Sequence, residues 1–183
     1  MEMPTDTRVV THGRGHHVAL VLLPVLLVVF MGLFVGLYVT HTTTRVHGPS
    51  MAPTLLPEDI LLVTRGYDSP VRGDVVVVQS PDPDDNGELL VKRVIGIPGD
   101  EVTVVDGMAV VNGEGERGPY TVYVSPGDIN VNLLTVPPGA IFLLGDNRPV
   151  SSDSRVFGPE PLELVMGRVV SIVAPIHRVR RVD

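Results

Sequence analysis

The chain has 183 residues, of which 14 are Lys or Arg and 21 are Asp or Glu, so its net charge is −7 at pH 7. This acidic balance argues against nucleic acid as a partner, because phosphate backbones are bound by an excess of basic residues. The lack of cysteine excludes a disulfide framework, a thiolate nucleophile and a thiolate metal site.

The first predicted element is an apolar helix. Residues 18–40 carry no charge over 23 positions. At about 1.5 Å per residue, such a helix is long enough to cross a hydrocarbon core of about 30 Å. We therefore predict a retained signal anchor. The alternative is a cleavable signal peptide, but its apolar region usually spans about 7 to 15 residues and ends in small residues, whereas this one continues into THTTT.

Basic residues flank the predicted helix unequally. Arg8 and Arg14 precede it and Arg45 follows it, and the positive-inside rule then places the N-terminus in the cytoplasm. We predict a single-pass protein of the cell membrane, with the lipid bilayer as a partner. The predicted parts are a cytoplasmic tail at 1–17, a transmembrane anchor at 18–40 and an extracytoplasmic domain at 41–183.

Short apolar runs dominate the chain after residue 57. They are rich in Val, Ile and Leu and are bounded by Gly, Pro, Asp or Asn, which is typical of strands joined by turns. The predicted strands are 59–64, 74–79, 89–95, 101–105, 108–112, 141–145 and 167–174. The predicted fold class is mainly β, with an N-terminal transmembrane helix followed by a β-rich domain.

One part of the β-rich domain is predicted to leave the main sheet. Asp106-Gly107 lies between two apolar runs and predicts a two-residue hairpin over 101–112. Residues 113–139 are rich in Gly and Pro, so we expect an irregular excursion there. Together these segments predict a small insert near 101–140.

Two charged segments lie outside the predicted strands. Residues 81–88 have the spacing that opens a calcium-binding EF-hand loop, but the twelfth position, which must be a bidentate Glu, is Arg93. We reject calcium binding and expect no metal and no cofactor. The basic ending HRVRRVD at 177–183 is predicted to be a solvated tail; contact with anionic lipid headgroups is the alternative.

Ser50 lies directly after the predicted helix, in the segment VHGPSMAPTL at 46–55. The prolines keep this segment extended, so the hydroxyl is held in a fixed and exposed place. Most loop serines only bond their own backbone, and this one needs a base beside it to act as a nucleophile. His47 is three residues away, which is about 10 Å in an extended chain, so we expect it to be a surface residue.

Lys92 is the single lysine among the 14 basic residues, and the other 13 (14 − 1) are arginine. Arginine stays protonated, whereas a desolvated lysine can lose its proton and act as a base near neutrality. Strand alternation puts Lys92 on the same face as Leu90 and Val94, where apolar neighbours would desolvate it. Arg93 points the other way and is expected to form an ion pair.

A third polar cluster, LLGDNRPVSSDSR at 143–155, follows a predicted strand. Ordinary turn residues with an internal Asp153–Arg155 pair would explain it. Alternatively, a serine hydroxyl in this turn orients a neutral lysine toward Ser50, as the third group of a catalytic triad does.

Three motifs stand in order along the chain. They are SMAPTL at 50–55, GDVVV at 73–77 with KRVIGIPGD at 92–100, and GDNR at 145–148 with Ser151, Asp153, Ser154, Arg155 and Gly158. Together they resemble type I signal peptidase, the membrane-anchored serine protease of peptidase family S26 that removes signal peptides from exported proteins. The resemblance extends over about residues 18–174 and implies a β-rich catalytic domain of the signal peptidase type.

The resemblance implies a role for each matching residue. Ser50 would be the nucleophile and Lys92 the general base of a Ser-Lys dyad that works through an acyl-enzyme, and Ser151 would orient the lysine. The residues implied to support the site are Asp146, Asn147, Arg148, Asp153 and Arg155. Family substrates are signal peptides with small residues at the first and third positions before the cut. The residues expected to line the pockets are Val46, Met51, Leu55 and Val91.

Two departures and two rivals accompany this resemblance. Gly48 stands where one branch of the family has a serine that donates to the oxyanion. The resemblance implies the Ser50 N–H as one donor, and the oxyanion hole must use another donor besides it or manage with fewer. Pro149-Val150 replaces the commoner Asp-Asn. A self-cleaving Ser-Lys repressor resembles this fold but needs a DNA-binding N-terminal domain. An inactive, membrane-anchored β domain that binds exported peptides differs from the enzyme only in lacking catalysis.

Overall fold

A computed structural model describes residues 14–82 and 87–182. The chain divides between Val39 and Thr40 into two compact units. Helix α1 (Arg14–Thr40) makes up the described part of the first unit and ends one residue beyond it. Its segment Leu22–Thr40 has a mean hydropathy of 2.6 and is long and apolar enough to cross a membrane, judged by length and composition.

The second unit is built from strands. Their bounds are β1 His41–Arg45, β2 Ile60–Arg65, β3 Val75–Gln79, β4 Leu89–Gly96, β5 Glu101–Val105, β6 Met108–Val111, β7 Glu114–Gly115, β8 Val131–Thr135, β9 Ala140–Leu144, β10 Glu160–Pro161, β11 Val165–Ala174 and β12 Arg180–Arg181. A short helix, α2 (Ser154–Phe157), lies between β9 and β10. The prediction of a mainly β domain is therefore confirmed.

The described strands form two antiparallel sheets. The main sheet has the order β1-β2-β11-β3-β4-β9-β10, with β12 paired to β11, and the second sheet has the order β7-β6-β5-β8. Valine, isoleucine and leucine fill both faces of the central strands of the main sheet, because both faces are covered. The site described below is built on the central strands β4 and β9.

The turn between β5 and β6 has the conformation expected from its sequence. Asp106 and Gly107 both have positive φ angles, 47° and 78°, as a two-residue hairpin of type I′ requires. The predicted hairpin is confirmed. The predicted irregular excursion at 113–139 is only partly right, because Val131–Thr135 forms β8 and pairs with β5.

The C-terminal segment does not extend into solvent as predicted. β12 pairs with β11, and Val182 is buried in the core beside Ile172. Arg178 forms two hydrogen bonds with Asp59, at 2.7 and 2.9 Å. The solvated-tail prediction was wrong because it considered only charge, whereas a buried valine and a buried carboxylate hold the segment against the domain.

Candidate active site

Ser50 lies on the loop between β1 and β2, and that loop is held from two sides. Within the loop, the Ala52 N–H donates to Pro49 O at 3.0 Å and closes a tight turn around Ser50. From the other side, the Asn147 N–H donates to Ser50 O at 2.9 Å, and Asn147 Nδ2 donates to Pro49 O at 3.2 Å. The serine hydroxyl is therefore fixed relative to the turn that follows β9.

Lys92 lies in the middle of β4, on a face that becomes apolar through pairing. It is opposite Val76 of β3, and Val94 on the same face is opposite Leu143 of β9. The side chain is only 3% exposed. Its Nζ lies 3.2 Å from Ser50 Oγ, within hydrogen-bond distance across 42 residues of sequence. The structure thus brings together the two residues for which the sequence predicted joint chemistry.

The electrostatic environment of Lys92 favours a neutral amine. Burial lowers the pKa of the Lys92 amine, since desolvation penalises the charged form. The nearby carboxylates of Asp153 and Glu160 oppose this shift, and Arg155 adds to it. The net direction is downward, as a lysine that serves as a base near neutral pH requires.

The turn after β9 is anchored by a fully buried ion pair. Arg93 Nε and Nη2 donate to the two carboxylate oxygens of Asp146 at 2.9 and 2.8 Å. Thr54 Oγ1 also donates to Asp146, and Arg93 stacks over the Tyr120 ring, 3.7 Å from its centroid. Asp146 therefore ties the turn to β4 and to the Ser50 loop at once.

Arg148 connects the same turn to the second sheet. Its Nε donates to Gly145 O at 2.8 Å and its Nη2 to Glu116 Oε2 at 2.8 Å. Its Nη1 donates to Gly107 O in the β5–β6 hairpin. Arg148 is 1% exposed, and all three nitrogens of its guanidinium donate hydrogen bonds. Its role in the structure is therefore to fix the path of the turn.

Asp153 and Arg155 form a second buried ion pair, near Lys92. Arg155 Nε donates to Asp153 Oδ1 at 2.8 Å, and Asp153 Oδ2 accepts from the Gly145 N–H at 3.0 Å. Arg155 Nη2 also donates to Arg148 O and Ser151 O. The pair therefore holds both ends of the turn that carries Ser151.

The Ser151 side chain lies against Gly145, a residue that also lies against the Ser50 backbone. A Cβ at Gly145 would collide with the Ser151 side chain and with Ser50 O, so only glycine fits there. Ser151 is 7% exposed, and its Oγ has no hydrogen-bond partner among the described residues. The structure brings Ser151 to this cluster but shows no bond between its hydroxyl and Lys92.

A cleft of about 100 Å³ opens beside Ser50 and Lys92. Ser50 and Lys92 line it, together with three of the predicted pocket residues, Val46, Met51 and Val91. Leu55, the fourth, is fully buried in the core cluster that Val46 and Met51 also join. At Gly48, a Cβ would meet no atom within 4 Å, so there is open space beside the site at that position.

Sequence reasoning did not find two further groups near the site. Glu160 is 3% exposed and lies close enough to Lys92 for their charges to interact. Arg180 Nη2 donates to Thr54 O at 2.7 Å and supports the Ser50 loop from the C-terminus. A Glu between two prolines, GPEP at 158–161, was the available signal for Glu160. Across residues 14–82 and 87–182, no group of three or more His, Asp or Glu side chains could hold a metal ion.

Most of the chain is similar in sequence to known proteins. The family described as "Signal peptidase, peptidase S26" matches residues 16–174. The mitochondrial ATP-independent inner membrane protease subunit 1a of Arabidopsis thaliana is 37% identical over 138 residues, which cover 73% of this chain and 71% of that protein. Signal peptidase I of Bacillus caldolyticus is 37% identical over 139 residues, covering 68% of this chain and 74% of that protein.

Signal peptidase I of Leptolyngbya laminosa is 36% identical over 138 residues, or 70% of this chain and 66% of that protein. Among solved structures, a signal peptidase I from Enterococcus faecalis V583 has a TM-score of 0.45 and 34% identity, and the match covers 55% of this chain and 96% of that one. From the family match and the sequence identities, the chain belongs to the signal peptidase family, peptidase S26, and is a serine peptidase.

Proposed function

We propose that this chain is an endopeptidase that cleaves signal peptides from exported preproteins after small residues, by a Ser-Lys dyad of Ser50 and Lys92. The observation that carries the proposal is the 3.2 Å separation of Lys92 Nζ and Ser50 Oγ at a lysine that is only 3% exposed. Membership of the signal peptidase family supports the substrate class.

The first chemical step acylates Ser50. Ser50 Oγ attacks the scissile carbonyl carbon while its proton passes to the neutral Lys92 Nζ, which becomes an ammonium. The tetrahedral intermediate then collapses: the carbon–nitrogen bond breaks, and Lys92 returns the proton to the leaving amine. The signal peptide remains attached to Ser50 as an ester.

The second step hydrolyses that ester. Lys92 takes a proton from a water molecule as the water attacks the ester carbonyl, and returns it to Ser50 Oγ as the ester bond breaks. In both steps the oxyanion needs a hydrogen-bond donor. The Ser50 N–H suits this role, because it makes no backbone hydrogen bond in the part of the chain that the structure describes.

The turn after β9 keeps Ser50 and Lys92 in position for these two steps. In this proposal, Ser151 orients Lys92. Asp146 and Asn147 hold the turn against the Ser50 loop, and Arg148 holds it against the second sheet. The pair of Asp153 and Arg155 holds both ends of the turn.

The cleft supplies the substrate contacts in the same proposal. Val46, Met51 and Val91 would receive the small side chains of the substrate, with Leu55 supporting them from the core.

Membrane attachment fits such a substrate. A helix of the length and apolar character of Leu22–Thr40 would anchor the chain in the bilayer, and a signal peptide is itself an apolar segment in the membrane. Confining both to one plane raises the effective concentration of the scissile bond at the site.

We propose a single-pass cell-membrane protein with residues 1–17 in the cytoplasm, 18–40 in the bilayer and the catalytic domain at 41–183 outside. In this proposal the chain acts without nucleic acid or cofactor.

A cleavage assay with a labelled preprotein and the full chain in detergent tests the activity. We expect the wild type to release the mature form, and Ser50→Ala and Lys92→Arg each to lower the rate by at least about a thousandfold. Ser69→Ala is the matched control, because Ser69 is exposed on the same domain. Full activity of Lys92→Arg would contradict the dyad, since guanidinium does not deprotonate. A wild type that binds the preprotein without cutting it would instead favour the peptide-binding β domain.

The proposed topology has an equally direct test, because the chain contains no cysteine. Single cysteines introduced by Thr5→Cys and Ser69→Cys can be probed with a membrane-impermeant maleimide on intact cells. We expect labelling of the Ser69→Cys chain before permeabilisation and of the Thr5→Cys chain only after it. The reverse order would contradict the orientation while leaving the chemistry untouched.

A further inference from the structure

Glu160 lies on the same face of the main sheet as Lys92. It pairs with Ile141 of β9, and Leu143, two residues along β9, is opposite Val94 of β4. Since alternate residues of a strand share a face and paired residues point to the same side, Glu160 and Lys92 both face the apolar cluster around these residues. A carboxyl in this position is unusual, because its neighbours on the face are aliphatic.

The Glu160 carboxyl is poorly satisfied. Its Oε1 lies 3.5 Å from Ser154 Oγ, and Oε2 has no hydrogen-bond partner in residues 14–82 and 87–182. Burial raises the pKa of the Glu160 carboxyl to about 7; the charge on Lys92 lowers it, the charge on Asp153 raises it, and the Ser154 hydrogen bond lowers it. This carboxyl can therefore change its charge in the range in which a peptidase works.

The other carboxylates that act on Lys92 are either paired or exposed to solvent. Asp153 is paired with Arg155 at 2.8 Å and accepts from the Gly145 N–H. Glu88 lines the cleft and is exposed. Glu160 makes no ion pair with any described residue and interacts electrostatically with Lys92. Among the carboxyls near the amine, Glu160 is therefore the one whose charge is not already compensated.

We propose that Glu160 is a positioning residue that sets the proton affinity of Lys92 through their interaction across the shared apolar face. The inference rests on the proposed role of Lys92 as general base. When ionised, Glu160 stabilises the ammonium that forms as Lys92 accepts the Ser50 proton. When protonated, it leaves the amine more easily neutral. Removing this carboxyl charge must therefore lower the pKa of Lys92, whatever the substrate.

The test compares the pH dependence of kcat/KM for Glu160→Gln with that of the wild type. The rate should rise with pH as Lys92 loses its proton, and the midpoint of that rise should move to lower pH by about one unit in Glu160→Gln, as expected for loss of one nearby charge in a medium of intermediate dielectric. Glu160→Asp, which keeps the charge, should stay close to the wild type. Glu163→Gln, an exposed glutamate three residues away, should not move the midpoint.

A spectroscopic readout does not depend on activity. Lys92 is the single lysine, so ¹³C-lysine labelling of the full chain in detergent gives one side-chain Cε signal to follow with pH. Its titration midpoint should fall in Glu160→Gln and stay unchanged in Glu163→Gln. In the wild type, the same signal should also show a second, smaller inflection as Glu160 ionises, and this measurement needs no variant at that position.

An unchanged Lys92 midpoint in Glu160→Gln, or a single inflection in the wild type if the variant does not fold, would overturn the inference. Either result would leave the dyad intact as long as the wild type still cleaves preprotein. Conversely, the wild type could be inactive while the Lys92 midpoint still falls in Glu160→Gln. That result would contradict the proposed function and support the Glu160–Lys92 interaction. The two failures are therefore distinguishable.

Discussion

Lys92 and Arg93 are neighbours on β4, yet their side chains lie in opposite electrostatic environments. Arg93 is fully buried and is compensated by both oxygens of Asp146, by Gly73 O and by the ring of Tyr120. The Lys92 side chain, on the other face, is nearly as buried and has one hydrogen-bond partner among the described residues, Ser50 Oγ. The two side chains are thus buried to a similar extent, but among the described residues only Arg93 has a counter-ion.

This difference separates a structural cation from a reactive amine. A buried charge must be paired or it becomes neutral. Arg93 stays charged because its guanidinium cannot readily lose a proton and because Asp146 is beside it. Lys92 has no carboxylate within ion-pair distance in the described part of the chain, so burial lowers the pKa of its amine instead. The same strand therefore carries a paired guanidinium on one face and, on the other, the amine that we propose as the base.

Asp146→Asn tests the environment of Arg93 by removing the carboxylate that is paired with it. It leaves the buried Arg93 guanidinium without its carboxylate, and loss of one partner of a buried ion pair typically costs about 3 to 5 kcal/mol. We expect the free energy of unfolding, measured by urea titration of the full chain, to fall by that amount. Asp68→Asn, at an exposed aspartate, is the control. Equal stability of the two variants would show that Asp146 does not anchor the turn.

Ser151→Ala tests the environment of Lys92, the amine without a carboxylate at ion-pair distance among the described residues. If the Ser151 hydroxyl orients Lys92, its loss should lower kcat/KM by about a hundredfold, as misplacement of a catalytic group does, with little change in stability because Ser151 Oγ has no partner among the described residues. Ser152→Ala is a matched control at an exposed serine in the same turn. If both variants keep wild-type activity, Ser151 has no orienting role.

The main sheet could be predicted from sequence where strands are both apolar and buried. The runs that became β2, β3, β4, β9 and β11 differ from the predicted strands by only one or two residues at their ends. β1 was not predicted, because His41–Arg45 reads HTTTR and lies half-exposed at the sheet edge. β8 was missed because its short apolar run lies between Gly/Pro-rich segments and pairs with β5 only through tertiary contact.

The site could be predicted only as far as residue types reveal chemistry. A single lysine and a serine between prolines indicated the dyad, and the shared face of Lys92, Leu90 and Val94 followed from strand alternation. Glu160 could not be found in this way, because its relation to Lys92 depends on the registers of β4, β9 and β10. The contacts of Arg178 with Asp59, 119 residues apart, likewise come from packing that no local pattern encodes.

The most direct test of the difference between Lys92 and Arg93 is the titration of the Lys92 amine itself. In the full chain in detergent, labelled with ¹³C-lysine, the Cε signal should titrate below the midpoint of the same signal in the urea-unfolded chain, because burial lowers the pKa of this amine. The midpoint should coincide with the rise of kcat/KM with pH. A folded-state midpoint equal to or above that of the unfolded chain would contradict the account, since Lys92 would then be an ordinary charged lysine.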